Sequence, residues 1–291
     1  MMRVRLELFF SMSNSDVKFR KSLNNSQLLV LEWLYEYRFS TSKQLAILLN
    51  KSNHKSIQDK LKILESQKFI GKRYDSTYKL AGRAAEYYLT PAGGRKLNKH
   101  YIETNSKKTI HEPVTKALYK NKLVSSAFIS HCLSIVSVAQ KLHTLYGEKM
   151  HIFSQAGTAP YHYFPVWRPD LYINLRLSKH QPYFLDVWDD SKPFFISVKK
   201  SRNYMNHEEN DGWYDNTPYP YILAVCKDAK TQSKLNRQIK KALEEKYNDN
   251  LTYATTTISL FMKSQKTTER IWTKINQDDE PEEFSLKNLY E

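Results

Sequence analysis

Apolar residues recur at three- and four-residue spacing from Ser26 onward, and the recurrence predicts a run of amphipathic helices. Leu28, Leu31, Leu34 and Tyr35 form one face of a first helix that stops around Tyr37-Arg38-Phe39. A short turn follows, in which Ser40, Thr41 or Ser42 can accept the free N–H groups of a second helix whose Leu45, Ala46, Leu48 and Leu49 mark its buried side. Asn50 to Asn53 breaks the pattern. A third helix, about Lys55 to Lys68, buries Ile57, Leu61 and Leu64 and turns Lys55, Ser56, Gln58, Asp59 and Lys62 outward.

Phe69-Ile70 with Lys72 and Arg73, then Ala85 to Leu89, predict two strands joined by a basic, glycine-containing tip that carries Tyr74, Lys79 and Arg83. Thr90-Pro91 opens another helix, a capping hydroxyl followed by proline at the first helical position. Three helices followed by a hairpin, from Ser26 to Arg95, read as a winged helix-turn-helix; the bland alternative is any three-helix bundle with a hairpin. In the sharper reading Lys55, Ser56, Gln58 and Lys62 reach base edges and phosphates, while Lys72, Arg73, Lys79 and Arg83 lie near the backbone of double-stranded DNA.

Further along, Asn98 to Glu112 is polar and predicts a connection. From Lys116 to Leu145 a broad apolar stripe, including Leu118, Leu123, Ala127, Leu133, Val136, Ala139 and Leu142, predicts one long helix packed on a sheet or on a second copy of itself. After Gly147 the period changes. His151 to Phe153, Pro169 to Leu175, Tyr183 to Trp188, Tyr219 to Val225 and Leu251 to Leu260 predict strands, with helices from Pro193 to about Glu209 and from Lys230 to Lys246 between them. Strands alternating with helices indicate an α/β sandwich. The acidic tail with Asp278, Asp279, Glu280, Glu282 and Glu283 is expected to be loose. The expected division is an N-terminal extension over 1–25, a winged-helix domain over 26–112, an α/β domain over 113–274 and an acidic tail over 275–291.

The charge sharpens this picture. A formal net charge of +15 over 291 residues favours a polyanionic partner. No apolar run is long enough to span a bilayer, the mean hydropathy is −0.64, and Met1 to Phe10 carries Arg3, Arg5 and Glu7, so neither a membrane segment nor a signal peptide is expected and the expected location is cytoplasmic. Cys132 and Cys226 lack the paired spacing of a zinc site and suit buried thiols in a reducing compartment. No phosphate-cradling glycine motif occurs, which argues against nucleotide hydrolysis. His162 stands outside any His-x-His cluster, His207-Glu208 lacks the second histidine of a zinc protease helix, and no basic cluster singles out one of the 20 tyrosines as a nucleophile. The tyrosines fit stacking on nucleic acid and equally an AT-rich coding sequence.

Candidate chemistry lies in carboxylates. Asp170 opens one predicted strand and Asp186 lies in the next, and two acids on neighbouring strands can hold magnesium or manganese between them. The structural alternative is that Asp170 caps a turn and Asp186 pairs with Arg168 or Lys200. This stretch resembles the restriction-endonuclease-like PD-(D/E)xK superfamily, with Trp188 where the motif has lysine. The resemblance implies a migrated lysine, and Lys200, one turn before Tyr204 on the same helical face, is in position to be it.

The chain as a whole resembles the plasmid replication-relaxation family, whose members join an N-terminal winged helix to an endonuclease-like domain. The resemblance rests on the Tyr88-Leu89-Thr90-Pro91-Ala92-Gly93 junction, Pro169-Asp170, Phe184-Leu185-Asp186, the Lys200 to Tyr204 helix and Tyr219-Pro220-Tyr221-Ile222. It implies an α+β chain, with a winged helix-turn-helix followed by a PD-(D/E)xK-like α/β domain, acting on plasmid or mobile-element DNA. Where the family tends to an acid-x-acid, this chain has Asp186-x-Trp188 with Asp189 and Asp190 displaced. If Asp189 faces the pair, the implied site survives; if it faces solvent, the domain is a silent DNA-binding scaffold. Three functions follow: a DNA-binding protein of a mobile element, a metal-dependent endonuclease or nickase with Asp170 and Asp186 as ligands and Lys200 as helper, or a transcriptional regulator with a partner-binding C-terminal domain. A homodimer would suit half-site recognition.

Overall fold

The first apolar stripe folds as α1 (Asn25–Tyr37), held at its start by a reciprocal pair in which Asn24 and Gln27 each accept the other's backbone N–H. The computed structural model describes residues 22–176, 180–214, 217–246, 251–275 and 282–287, so most of the expected N-terminal extension and Asp278 to Pro281 lie outside the described residues. Of the three hydroxyls offered for the next cap, Thr41 is the one used. It accepts from Gln44 N at the head of α2 (Ser42–Leu48). The segment expected as a plain turn is instead a short strand, β1 (Phe39–Thr41), because the next hairpin leaves an open edge that it fills.

The third helix, α3 (Lys55–Ser66), buries Ile57, Leu61 and Leu64 as the pattern required. Beyond it β2 (Ile70–Arg73) pairs antiparallel with β3 (Glu86–Leu89), giving a three-stranded sheet in the order β1-β3-β2. The tip between them holds a helical turn. Asp75 accepts the N–H groups of Thr77 and Tyr78 and so starts a short helix, α4 (Ser76–Leu80).

Thr90 caps α5 (Pro91–Glu103) and donates its hydroxyl to the Lys68 and Phe69 carbonyls. A Cβ on Gly93 would stand 2.0 Å from the Phe69 carbonyl oxygen, so this junction demands glycine for close approach of helix to strand.

The single helix expected over Lys116 to Leu145 is two: α6 (Glu112–Leu118), whose Leu118 packs in the N-terminal core, and α7 (Ser126–Tyr146). The break is fixed by Asn121, buried between them, which donates to the Leu89 carbonyl and accepts from Arg38, and by Ser125, which caps α7.

The remainder forms a seven-stranded mixed sheet: β4 (Met150–Ser154), β5 (Leu171–Arg176), β6 (His180–Trp188), β7 (Tyr221–Cys226), β8 (Tyr253–Thr257), β9 (Trp272–Ile275) and β10 (Glu282–Phe284), side by side in that order. A short helix, α8 (Gln155–Thr158), follows β4. The β6–β7 and β7–β8 pairs are parallel and the others antiparallel.

The two parallel crossovers are the helices α9 (Phe194–Glu209) and α10 (Ala229–Lys246), which share a core with Phe184, Trp188 and Ile222. Val136, Ala139 and Leu142 of α7 cover the opposite face over Leu171, Leu185 and Leu223. The α7 stripe therefore packs on a sheet. Thr257 turns the expected end of β8 into α11 (Ile258–Lys263) by accepting from Leu260 N. The acidic tail, expected to be loose, adds β10 to the sheet edge, because Phe284 and Leu286 are buried in the same core.

The helical N-terminal part and the sheet part pack directly on each other. Gln44 donates to the Leu133 carbonyl at 2.9 Å and Gln140 returns a bond to the Gln44 carbonyl at 2.7 Å. The chain is thus a mixed α+β fold, and no helix among the described residues is long and apolar enough to cross a membrane.

Candidate functional site

Side chains on a strand alternate between faces, so Phe184, Asp186 and Trp188 all point from β6 toward α9. Asp186 is then the one charge in an apolar row. Asp170, one residue before β5, sits beside it, and the two strands lock together through their acids: Asp170 N donates to Asp186 Oδ1 at 3.1 Å and Val187 N donates to Asp170 Oδ2 at 2.9 Å. From α9, Lys200 Nζ reaches Asp186 Oδ1 at 2.6 Å and Asp170 Oδ1 at 3.3 Å. One helical turn on, the Tyr204 hydroxyl donates to Asp186 Oδ2 at 2.9 Å. Asp170, Asp186 and Lys200 therefore converge, lining a cavity of about 390 Å3 together with Trp167, Arg168, Lys192 and Gln155.

One member of this cluster is not singled out by the sequence pattern. His131, on the sheet-facing side of α7, stands with Nδ1 2.8 Å from Asp189 Oδ2 and Nε2 3.5 Å from Asp170 Oδ2. Its sequence signal is a lone imidazole inside an apolar helical stripe, which by itself reads as a core residue. Of the two directions open to Asp189, the structure has it facing the pair through this histidine, with only 21% of its side chain exposed. Trp188, in the motif's lysine position, is buried in the core under α9 and α10 and contributes no charge.

The protonation states follow from burial set against proximity. Burial alone would lower the His131 pKa, but hydrogen bonds to both carboxylates outweigh it and raise the value to about 9, so the ring is an imidazolium at neutral pH. Asp170 resists the upward pull of burial because Lys200 and His131 both face it, and its carboxyl is held well below the ordinary range. Burial pushes Asp186 upward despite Lys200. Lys200 overcomes its own desolvation through the two acids and stays charged. Burial and the neighbouring Asp186 push the Tyr204 phenol far above its usual value, so it is a donor.

This arrangement bears on a divalent cation. The four carboxylate oxygens of Asp170 and Asp186 all accept from, or contact, protein donors, and the Lys200 ammonium stands between the acids where a bridging ion would lie. Among the described residues, no group of three or more His, Cys, Asp or Glu is arranged to hold a metal. The donor set as it stands does not fit magnesium or manganese, and Lys200 would have to leave for one to enter.

The residues expected near DNA are placed elsewhere, and none of them lines this cavity. Lys55, Ser56, Asp59 and Lys62 are exposed on α3 and Gln58 is half-buried there. Among the described residues Lys62 pairs with its own helix neighbour Asp59, at 3.4 Å, with both side chains largely in water. Lys72 on β2 and Lys79 on α4 are exposed. Arg73 and Arg83 are already engaged: Arg73 donates to the Val124 carbonyl at 2.6 Å, and Arg83 pairs with the buried Glu86 at 2.8 Å while lying over the Tyr78 ring. Both thiols are buried, which pushes each up to about 12 and leaves them inert.

A search of curated proteins and of solved structures found no match. The replication-relaxation family model, in contrast, matches residues 31–216, a span that runs from within α1 through α9 and takes in the glycine-dependent junction at Gly93 and the whole Asp170, Asp186 and Lys200 cluster. The chain therefore belongs to the replication-relaxation family.

Proposed function

We propose that this protein acts on plasmid or other mobile-element DNA, in replication or relaxation, and that residues 26–112 form a winged helix that reads the duplex. Family membership supports the role in replication or relaxation. The observation that carries the duplex reading is α3: it buries Ile57, Leu61 and Leu64, and keeps Lys55, Ser56 and Lys62 exposed, with no ion pair from them to another element among the described residues. Amides and long cations on such a face can enter a major groove, with Lys72 and Lys79 of the hairpin beside the backbone. Arg73 and Arg83, tied to protein partners, shape the hairpin in this reading.

Replacement of Lys55, Gln58 and Lys62 by alanine is expected to weaken duplex binding, measured by anisotropy over a salt series, and to flatten the salt slope by about 0.9 for each phosphate no longer neutralised. Unchanged affinity and slope would remove the winged-helix assignment.

A second reading, an endonuclease or nickase working in the 113–274 region, is favoured by the convergence of Asp170, Asp186 and Lys200 on one cavity. It requires Lys200 to move before magnesium or manganese enters. Nicking of supercoiled plasmid that survives both Asp170→Ala and Asp186→Ala would eliminate it.

A further inference from the structure

On the sheet face opposite α7, between α9 and α10, lies an open groove of about 910 Å3 whose lining contains no carboxylate. Its cations are Lys199, Arg202 and Lys234, and its rings are Trp167, Phe194 and Phe195. Phe195 is 68% exposed, a large apolar side chain held out into water at the second position of α9. Lys199 stands 5.6 Å from the Trp167 ring centre and Lys234 4.1 Å from that of Phe194, so two of the three cations lie against rings of the groove. Arg202 reaches Glu245 at 3.7 Å on the rim, a half-exposed pair that leaves its guanidinium accessible.

We propose that this groove binds single-stranded DNA, with Phe195 and Trp167 stacking on bases and Lys199, Arg202 and Lys234 against successive phosphates. A duplex hides its base faces, and only unpaired bases can use exposed rings. A lining that holds three cations and no carboxylate selects a polyanion over a protein surface of mixed charge. The groove adjoins the acid cluster: Trp167 lines both cavities, its backbone N–H donates to Asn203 of α9 at 3.3 Å, and Lys200 follows Lys199 directly. A strand lying on α9 is thereby led past Trp167 to Asp170, Asp186 and Lys200. The inference rests on the DNA-acting role proposed above only for the choice of DNA, and it involves none of the α3 residues.

The test uses the full chain and a fluorescein-labelled oligodeoxythymidylate of about 12 nucleotides, a length within the span of known single-strand grooves. Binding is expected at low salt, with quenching of tryptophan fluorescence. Phe195→Ala should weaken it roughly 5- to 150-fold, the range for one stacking ring. Lys199→Gln with Lys234→Gln should weaken it and flatten its salt slope by roughly 0.7 for each phosphate that then keeps its counterion. All three side chains lie at the surface of the groove, and an unchanged melting temperature verifies that the variants are folded. Failure of the oligonucleotide to bind, or equal binding by wild type and both variants, overturns the proposal. Duplex affinity measured in parallel, with Lys55, Gln58 and Lys62 replaced, reports on the winged helix separately, so the two readings fail independently.

Discussion

Replacing His131 with glutamine removes the imidazolium between Asp170 and Asp189, and the cost should depend on pH in a defined direction. The folded-state pKa is raised, from 6.5 to about 9. A group of this kind stabilises the fold fully below its unfolded pKa and loses that contribution as pH rises through the folded one. At about 1.36 kcal/mol per unit, the histidine contributes on the order of 3 kcal/mol near pH 6, roughly 2 near pH 7.5 and almost nothing near pH 10. The side chain is only 5% exposed, so solvent screening takes little from these values. Urea unfolding of wild type and His131→Gln, followed by tryptophan fluorescence at those three pH values, isolates the histidine from Lys200, Lys192 and the acids, which both proteins share. The stability difference should shrink steadily toward high pH. A difference that stays constant from pH 6 to 10, or grows, refutes a buried imidazolium.

Three further outcomes follow from the same geometry. Lys200→Met leaves two buried carboxylates facing each other and should cost about 3–5 kcal/mol in urea unfolding, with Asp186→Asn in the same chain restoring a large part; an innocuous single substitution would show that the acids hold no charge between them. Gly93→Ala forces a methyl against the Phe69 carbonyl and should destabilise by about 1–3 kcal/mol, read as a fall of several degrees in Tm; an unchanged Tm would mean the junction relaxes freely. Magnesium titrated into the DNA-free wild-type protein should give no binding heat at this cluster, because Lys200 stands between the acids, whereas a saturable site that Asp170→Ala abolishes would contradict that placement.

The helices near the amino end and the alternating strands and helices of the second half were legible because their apolar residues repeat at the periods of the elements they form. Lys200 and Tyr204 could be placed on one face for the same reason, and Asp170 and Asp186 on neighbouring strands. Other features depended on partners distant in sequence. Phe39 to Thr41 became a strand because β3 offered an edge, the long stripe broke where Asn121 found Leu89 and Arg38, and the acidic tail joined the sheet because Phe284 and Leu286 reach its core.

His131 is the sharpest case. Nothing local distinguishes it from a core histidine, since its two carboxylates come from segments 39 and 58 residues away. Periodicity carries local structure in a single chain, whereas charge pairing is set by distances in space. The sequence by itself determined the elements, their buried faces and the candidate acids; only packing of α7 and α9 against the sheet decided that a lysine and a histidine would neutralise those acids from within.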